Sequence, residues 1–243
     1  SLFFNNFNGF EKFISEIQSS KNKIDYLTIC TPNYLHHSHI RFGLMNGMNV
    51  ICEKPLVINT RLLKNLFELR KISKKEIFCI LQLRINDQIF KLKKELIKTS
   101  NFLNCDLIYN TPRGKWYDYS WKGDIKKSGG ILYNIGIHLF DILIWIFGKC
   151  LNFEVSKNEN RSARGTLYFK NAKVKWNLSI DKPYLNNFES ERKLIINNKE
   201  YELTGNFNDS HTLCYKQILN RDKIFKVKST IDSLYLVNKM SKI

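Results

Sequence analysis

Apolar residues in the first third of the chain fall into two alternating textures. Ile24 to Cys30, Asn49 to Cys52 and Glu76 to Leu83 are short runs rich in β-branched and aromatic residues, the mark of buried strands. Between them lie stretches with helical spacing: Phe10 to Gln18, Pro32 to about Met45, and about Asn59 to Ile72. Strands alternating with helices of that length predict βαβ units and a parallel sheet. Near-continuous apolar strands fit a sheet covered on both faces.

The pattern changes beyond Leu83-Arg84, which sets the domain boundary: residues 1–83 and 84–243. A helix over about Asp87 to Lys98 precedes a strand at Cys105 to Asn110, a polar-aromatic loop and a long helix over roughly Lys127 to Phe147. Alternating runs then follow at Asn152 to Ser156, Arg164 to Lys170, Ala172 to Asp181, Lys193 to Ile196 and Glu200 to Leu203. Asn197-Asn198-Lys199 reads as a hairpin turn. Helices near Ser210 to Leu219 and Thr230 to Met240 close the chain. The fold class is α/β: a Rossmann-type parallel sheet followed by an α+β domain with a mostly antiparallel, open sheet.

Charge adds a competing idea. Lys and Arg number 39 against 22 Asp and Glu, a formal net charge of +17, which raises nucleic acid, a membrane surface or another anion as partner. The excess is dispersed, however, with 30 Lys to 9 Arg and no basic arm. Dispersed charge argues against nucleic acid, which needs a clustered face. Leu2-Phe3-Phe4 is followed at once by Asn5-Asn6, so no secretory apolar core forms there. The apolar stretch Ile131 to Phe147 is interrupted by Asn134, His138 and Asp141, and reads as an amphipathic helix of a soluble protein rather than a bilayer span. Six scattered cysteines, with no C-x-x-C, predict a reducing cytoplasm and no structural metal.

Three stretches carry candidate chemistry. Thr31-Pro32-Asn33-Tyr34-Leu35-His36 follows a buried strand, where an α/β sheet places its ligands; a helix cap by Thr31 or Asn33 is the more ordinary reading of that stretch alone. Cys52-Glu53-Lys54-Pro55 puts an ionisable pair at the next strand end, and a solvated turn is the bland alternative. Gly129-Gly130 leads into Asn134, His138 and Asp141. Asn134 and His138, four apart, share a helix face. A histidine in such an apolar stripe is usually a satisfied core residue, yet Asn134 beside it makes the polar groups converge.

Taken in order, these stretches resemble the glucose–fructose oxidoreductase/inositol dehydrogenase (Gfo/Idh/MocA) family, which carries T-P-N-x-x-H, then E-K-P, then G-G-x-x-x-D-x-G-x-H-x-x-D. A narrower resemblance is to its bacterial UDP-2-acetamido-2-deoxy-glucuronate 3-dehydrogenases, through Arg113-Gly114-Lys115-Trp116-Tyr117, Ser120 to Asp124, Asn134 to His138, and Asp209 to Thr212 with Tyr215 to Leu219. That subgroup has Asn at position 134 where the wider family has Asp. Asn86-Asp87 departs from the family's His-Pro.

The resemblance implies NAD as cofactor, with NADP an open alternative, and hydride transfer from C3′ of a UDP-sugar in surface-polysaccharide (O-antigen) synthesis. His138 would be the general base and Lys54 would stabilise the reacting oxygen. Thr31, Pro32, Asn33, His36, Glu53, Lys54 and Gln82 would contact the dinucleotide. Arg113, Lys115, Tyr117, Lys122, Asn134 and His138 would bind substrate, and a homodimer or homotetramer would form. No G-x-G-x-x-G occurs in the chain, so the Rossmann unit is expected to be incomplete, lacking about 50 residues, and to bind NAD weakly. Another sugar or polyol dehydrogenase of the family, or a non-catalytic assembly module, are the competing functions.

Overall fold

The computed structural model describes residues 2–96, 101–181, 190–203, 207–220 and 223–243. Helix α1 (Phe7–Gln18) leads to strand β1 (Tyr26–Ile29); a 3-10 turn (Asn33–Leu35) runs into α2 (His36–Met45) and then β2 (Asn49–Cys52). A second 3-10 turn (Thr60–Leu62), α3 (Leu63–Ser73) and β3 (Ile77–Cys79) complete a parallel sheet of order β1-β2-β3. Local chemistry starts these helices. Asn6 accepts from the Gly9 amide at 2.8 Å, and Asn59 from the Arg61 amide at 3.1 Å, supplying orphan first-turn donors with an acceptor.

The strand expected over Glu76 to Leu83 is shorter in the structure. Ile80 still donates to the Cys52 carbonyl at 2.9 Å, but the chain then turns into a 3-10 segment, Gln82–Ile85. That turn carries Gln82 to the end of the sheet.

The second part contains α4 (Asp87–Leu96), β4 (Leu103–Asn110), α5 (Trp116–Tyr119), α6 (Ile125–Ser128), a π-helical turn (Leu132–Gly136) and α7 (Ile137–Phe147). Strands β5 (Asn152–Asn158), β6 (Ser162–Tyr168), β7 (Ala172–Ser179), β8 (Glu191–Ile196) and β9 (Lys199–Glu202) precede helices α8 (Phe207–Leu219) and α9 (Val227–Met240). The sheet order is β5-β6-β7-β4-β8-β9, antiparallel except where β4 meets β7. Asn197 and Asn198 both have positive φ, 46° and 69°, as a tight hairpin connection requires. One face is apolar: Leu103, Cys105 and Leu107 are buried while Asn104 and Asp106 are exposed, and Phe140 of α7 meets Trp176 of β7 edge-on at 5.1 Å.

The single helix expected over Lys127 to Phe147 is a correction. Gly129 and Gly130 adopt φ of 82° and 78°, which ends α6, and a π turn intervenes before α7. A Cβ at Gly129 would stand 2.7 Å from Cβ of Tyr133, so glycine lets the next turn close onto this one. The stretch Ile125–Phe147 is long and apolar enough to cross a membrane by length and composition, but 72% of its most apolar window is buried inside the protein. The run from α6 through the π turn to α7 is packed into the core.

The C-terminal segment from α8 onward returns to the parallel sheet. Cys214 and Ile218 of α8 and Phe225 pack with Ile51, Phe78 and Ile80, and the Cys79 amide donates to the Phe225 carbonyl at 2.9 Å. Each such buried side chain contributes about 1.5–3 kcal/mol. The tie is reinforced by Arg84. Its guanidinium meets both oxygens of Asp141 at 2.7 Å and donates to the Ile224 and Ser229 carbonyls and to Ser229 Oγ. Ser233 completes the carboxylate at 3.1 Å.

Candidate active site

The carboxyl ends of β2 and β3 meet the π turn and α7 at a cavity of about 330 Å³. Glu53 and Lys54 follow β2 directly. Lys54 Nζ donates to the Asn134 carbonyl, a group that a regular α-helix would commit to an amide one turn on. The π turn thus offers the ammonium a backbone acceptor, a use of such bulges typical of functional positions. Asn134 in turn donates from Nδ2 to the Tyr117 hydroxyl at 3.0 Å, and Tyr117 is buried on α5.

His138 lies on the next turn and lines the same cavity. Its Nδ1 is shielded from solvent and, among the described residues, has no hydrogen-bond partner. Burial, aided by the positive charge of Lys54, holds its pKa well below the usual 6.5. Lys54 is lowered to about 8, chiefly by burial, with Lys122 and Arg113 adding to the effect and Glu53 opposing it. An imidazole kept neutral beside an ammonium that gives up its proton readily is a proton-handling pair.

The T-P-N turn behaves differently from a surface that simply faces a ligand. Asn33 is buried, and its Nδ2 donates to the Ser128 carbonyl at 2.8 Å, tying the turn to the end of α6. His36 is fully buried, with Nδ1 2.7 Å from the Pro55 carbonyl and Nε2 2.8 Å from the Thr31 carbonyl. It cross-links the loops after β1 and β2. Thr31 Oγ1 is 3.1 Å from Nδ1 of His39, and Pro32 opens the 3-10 turn. Glu53 pairs with His211 of α8 at 3.2 Å, bringing the Asp209–Thr212 stretch to the site. Gln82 borders the cavity.

Of the residues expected to bind substrate, Arg113, Tyr117, Lys122, Asn134 and His138 line the cavity together. Lys115 does not; it precedes α5 and is exposed to solvent. The structure adds Tyr109, Trp116 and, on β8, Arg192. Four cations therefore line the cavity (Lys54, Arg113, Lys122 and Arg192) and, among the described residues, no Asp or Glu does. Lys54 and Gln82, after the strand ends and in the same lining as His138, fit the redox end of a dinucleotide.

Comparison with known families matches residues 2–80 to an oxidoreductase NAD-binding Rossmann fold and residues 93–197 to the C-terminal alpha/beta domain of the same oxidoreductase family. Fold and site thus define an oxidoreductase with an NAD-binding domain. The chain belongs to the Gfo/Idh/MocA family.

Among solved structures, the WlbA (WbpB) dehydrogenase of Thermus thermophilus, crystallised with NAD and UDP-GlcNAcA, is 32% identical with a TM-score of 0.94. The match covers 100% of this chain and 80% of that one; the same protein has also been crystallised with NAD and alpha-ketoglutarate. The myo-inositol 2-dehydrogenase of Lactobacillus plantarum, 15% identical over 98% of this chain and 81% of its own at a TM-score of 0.78, shares the fold. A curated relative, the oxidoreductase C115.03 of Schizosaccharomyces pombe, is 28% identical over 51% of this chain and 34% of its own length. The match thus spans about a third of that relative.

Proposed function

We propose that this protein is an NAD-dependent dehydrogenase that oxidises C3′ of a UDP-N-acetyl-glucosaminuronate-type sugar nucleotide, in the making of a surface polysaccharide such as O-antigen. The observation that carries this reading is the cavity wall: four cations and, among the described residues, no carboxylate, with Lys54 and His138 in the same lining. A uronic acid on a nucleoside diphosphate brings several negative charges, which such a wall matches. A neutral polyol leaves them uncompensated, which disfavours an inositol-type substrate. The T. thermophilus relative's complexes with UDP-GlcNAcA and with alpha-ketoglutarate, both carboxylates, support the same direction.

In the forward step the C3′ hydroxyl loses its proton to His138 while the C3′ hydrogen leaves as hydride, so that the alcohol becomes a ketone. NAD, when bound, supplies the hydride acceptor. His138 is suited to the proton because burial keeps its imidazole neutral at pH 7. Lys54, held by the Asn134 carbonyl, presents an ammonium to the developing oxyanion. Asn134 and Tyr117 orient the sugar. Thr31, Pro32, Glu53 and Gln82 hold the dinucleotide. Asn33 and His36 act from beneath, fixing the loops that carry these residues.

The test is turnover of a substrate panel with NAD. UDP-GlcNAcA should be oxidised, and His138→Asn should reduce the rate by about 10²–10⁴-fold, the usual worth of a positioned base. Oxidation of myo-inositol in preference to UDP-GlcNAcA would refute the reading.

A further inference from the structure

Arg192 belongs to none of the motifs that define the site, yet it forms part of the cavity wall. It stands opposite Tyr109 in the β4–β8 register. Its Nε donates to Thr111 Oγ1 at 3.0 Å, and its guanidinium carbon lies 5.3 Å from the centre of the Tyr109 ring. Thr111 is itself buried. These two contacts hold the guanidinium, and among the described residues nothing occupies its terminal nitrogens.

Three arginines outside the cavity show the contrast, whereas Arg113, in the same lining, likewise has no carboxylate partner among the described residues. Arg84 is paired with Asp141, Arg161 with Asp118 and Asp181, and Arg70 with Glu76. Among the described residues no carboxylate pairs with Arg192. Charges placed in a cavity without a counter-ion are costly to desolvate, so a ligand that supplies the missing anion gains from a partner already in place. The chemistry of that anion follows from the donor. A guanidinium anchored through Nε offers its Nη groups as a planar pair, which matches a carboxylate. Lys122, in the same lining, is a compact ammonium 5.5 Å from the centre of the Trp116 ring, with no planar preference.

We propose that Arg192 reads the carboxylate of the substrate and so separates a uronic acid from the corresponding neutral sugar. The proposal rests on the sugar-nucleotide reading above and refines it. A hydroxymethyl group in place of the carboxylate would leave the guanidinium unpaired, and sites built to hydrogen-bond a group discriminate strongly against ligands that lack it.

Calorimetric binding to the full chain tests this with three ligands: UDP-GlcNAcA, UDP-GlcNAc, which keeps the diphosphate but lacks the carboxylate, and 2-oxoglutarate, which has carboxylates but no phosphate. Wild type should prefer UDP-GlcNAcA over UDP-GlcNAc by about 10–100-fold, the range of a charge-assisted pair. Arg192→Gln should bring the two within about twofold, the scatter of an unrelated substitution, by weakening UDP-GlcNAcA and 2-oxoglutarate while leaving UDP-GlcNAc unchanged. Arg192→Lys, which keeps the charge and the fold, should retain part of the preference. Equal weakening of both UDP-sugars would assign Arg192 to the diphosphate and overturn the proposal, as would a preference that survives the Gln variant. If wild type bound neither UDP-sugar, the sugar-nucleotide reading would fail on its own. The 2-oxoglutarate arm would then decide: weakening in Arg192→Gln supports a carboxylate receptor, and unchanged or absent binding overturns it.

Discussion

His138 and Asp141 sit three residues apart on α7, in one packed interior, and their polar atoms are treated in opposite ways. Both oxygens of Asp141 are taken by Arg84, and Ser233 adds a third bond. All the donor nitrogens of Arg84 are engaged in turn. Nδ1 of His138 has no partner among the described residues. Buried polar groups are normally paired, so the two positions separate tasks along one helix. The saturated network holds the returning C-terminal segment to the 3-10 turn after β3. His138 instead borders the cavity, where a reacting group would sit.

The largest effect should come from breaking the saturated side. Arg84→Ala strands the Asp141 carboxylate, and loss of one partner of a buried ion pair costs about 3–5 kcal/mol. Urea unfolding of Arg84→Ala and Asp141→Ala should report losses of that size. A loss under about 1 kcal/mol, the worth of an exposed pair, would mean the network is not what joins these segments. The unpartnered side should respond in the reverse sense. His138→Asn should leave the urea midpoint within the small range of substitutions that break no bond, about 0.5 kcal/mol, while turnover is lost. A variant that unfolds along with its activity would erase the distinction.

Periodicity and motif order made much of this legible. The apolar runs marked the ends of β1 and β2 to within a residue but carried the third strand to Leu83, past its end at Cys79, and Lys54 and His138 were marked by their stretches. Tertiary partners were not legible, because sequence spacing describes a segment and not what packs on it. His36 reads as a nucleotide contact, but both its nitrogens face carbonyls of its own protein. Arg192 joins the cavity only through its register with Tyr109, and the two lie on strands distant in sequence. The π turn is equally hidden: Leu132 to Gly136 has ordinary helical composition, and its distortion accompanies a lysine from another strand end.

Lys54 sharpens the comparison through pH. Its folded-state pKa of about 8 lies below the usual value near 10.5. Between these two values the unfolded chain holds a proton that the folded protein has released, so stability rises with pH across that window and the contribution is lost as pH falls through about 8. Urea midpoints of wild type and Lys54→Met should diverge there, the wild type alone gaining from this group. Parallel curves would place Lys54 in water rather than against Asn134. The smallest effect belongs to Lys115. Being exposed and outside the cavity, its replacement by Ala should alter UDP-GlcNAcA affinity by less than about twofold, whereas Arg113→Ala should weaken it measurably.

The central claim is that His138 stands neutral in the cavity lining, ready to take a proton. Titration of its imidazole by nitrogen-15 NMR tests that directly. The ring should remain neutral as pH is lowered through 6.5, and Lys54→Met should raise its pKa by removing the neighbouring charge. A His138 that is protonated at pH 7, or whose titration ignores Lys54, would contradict the account.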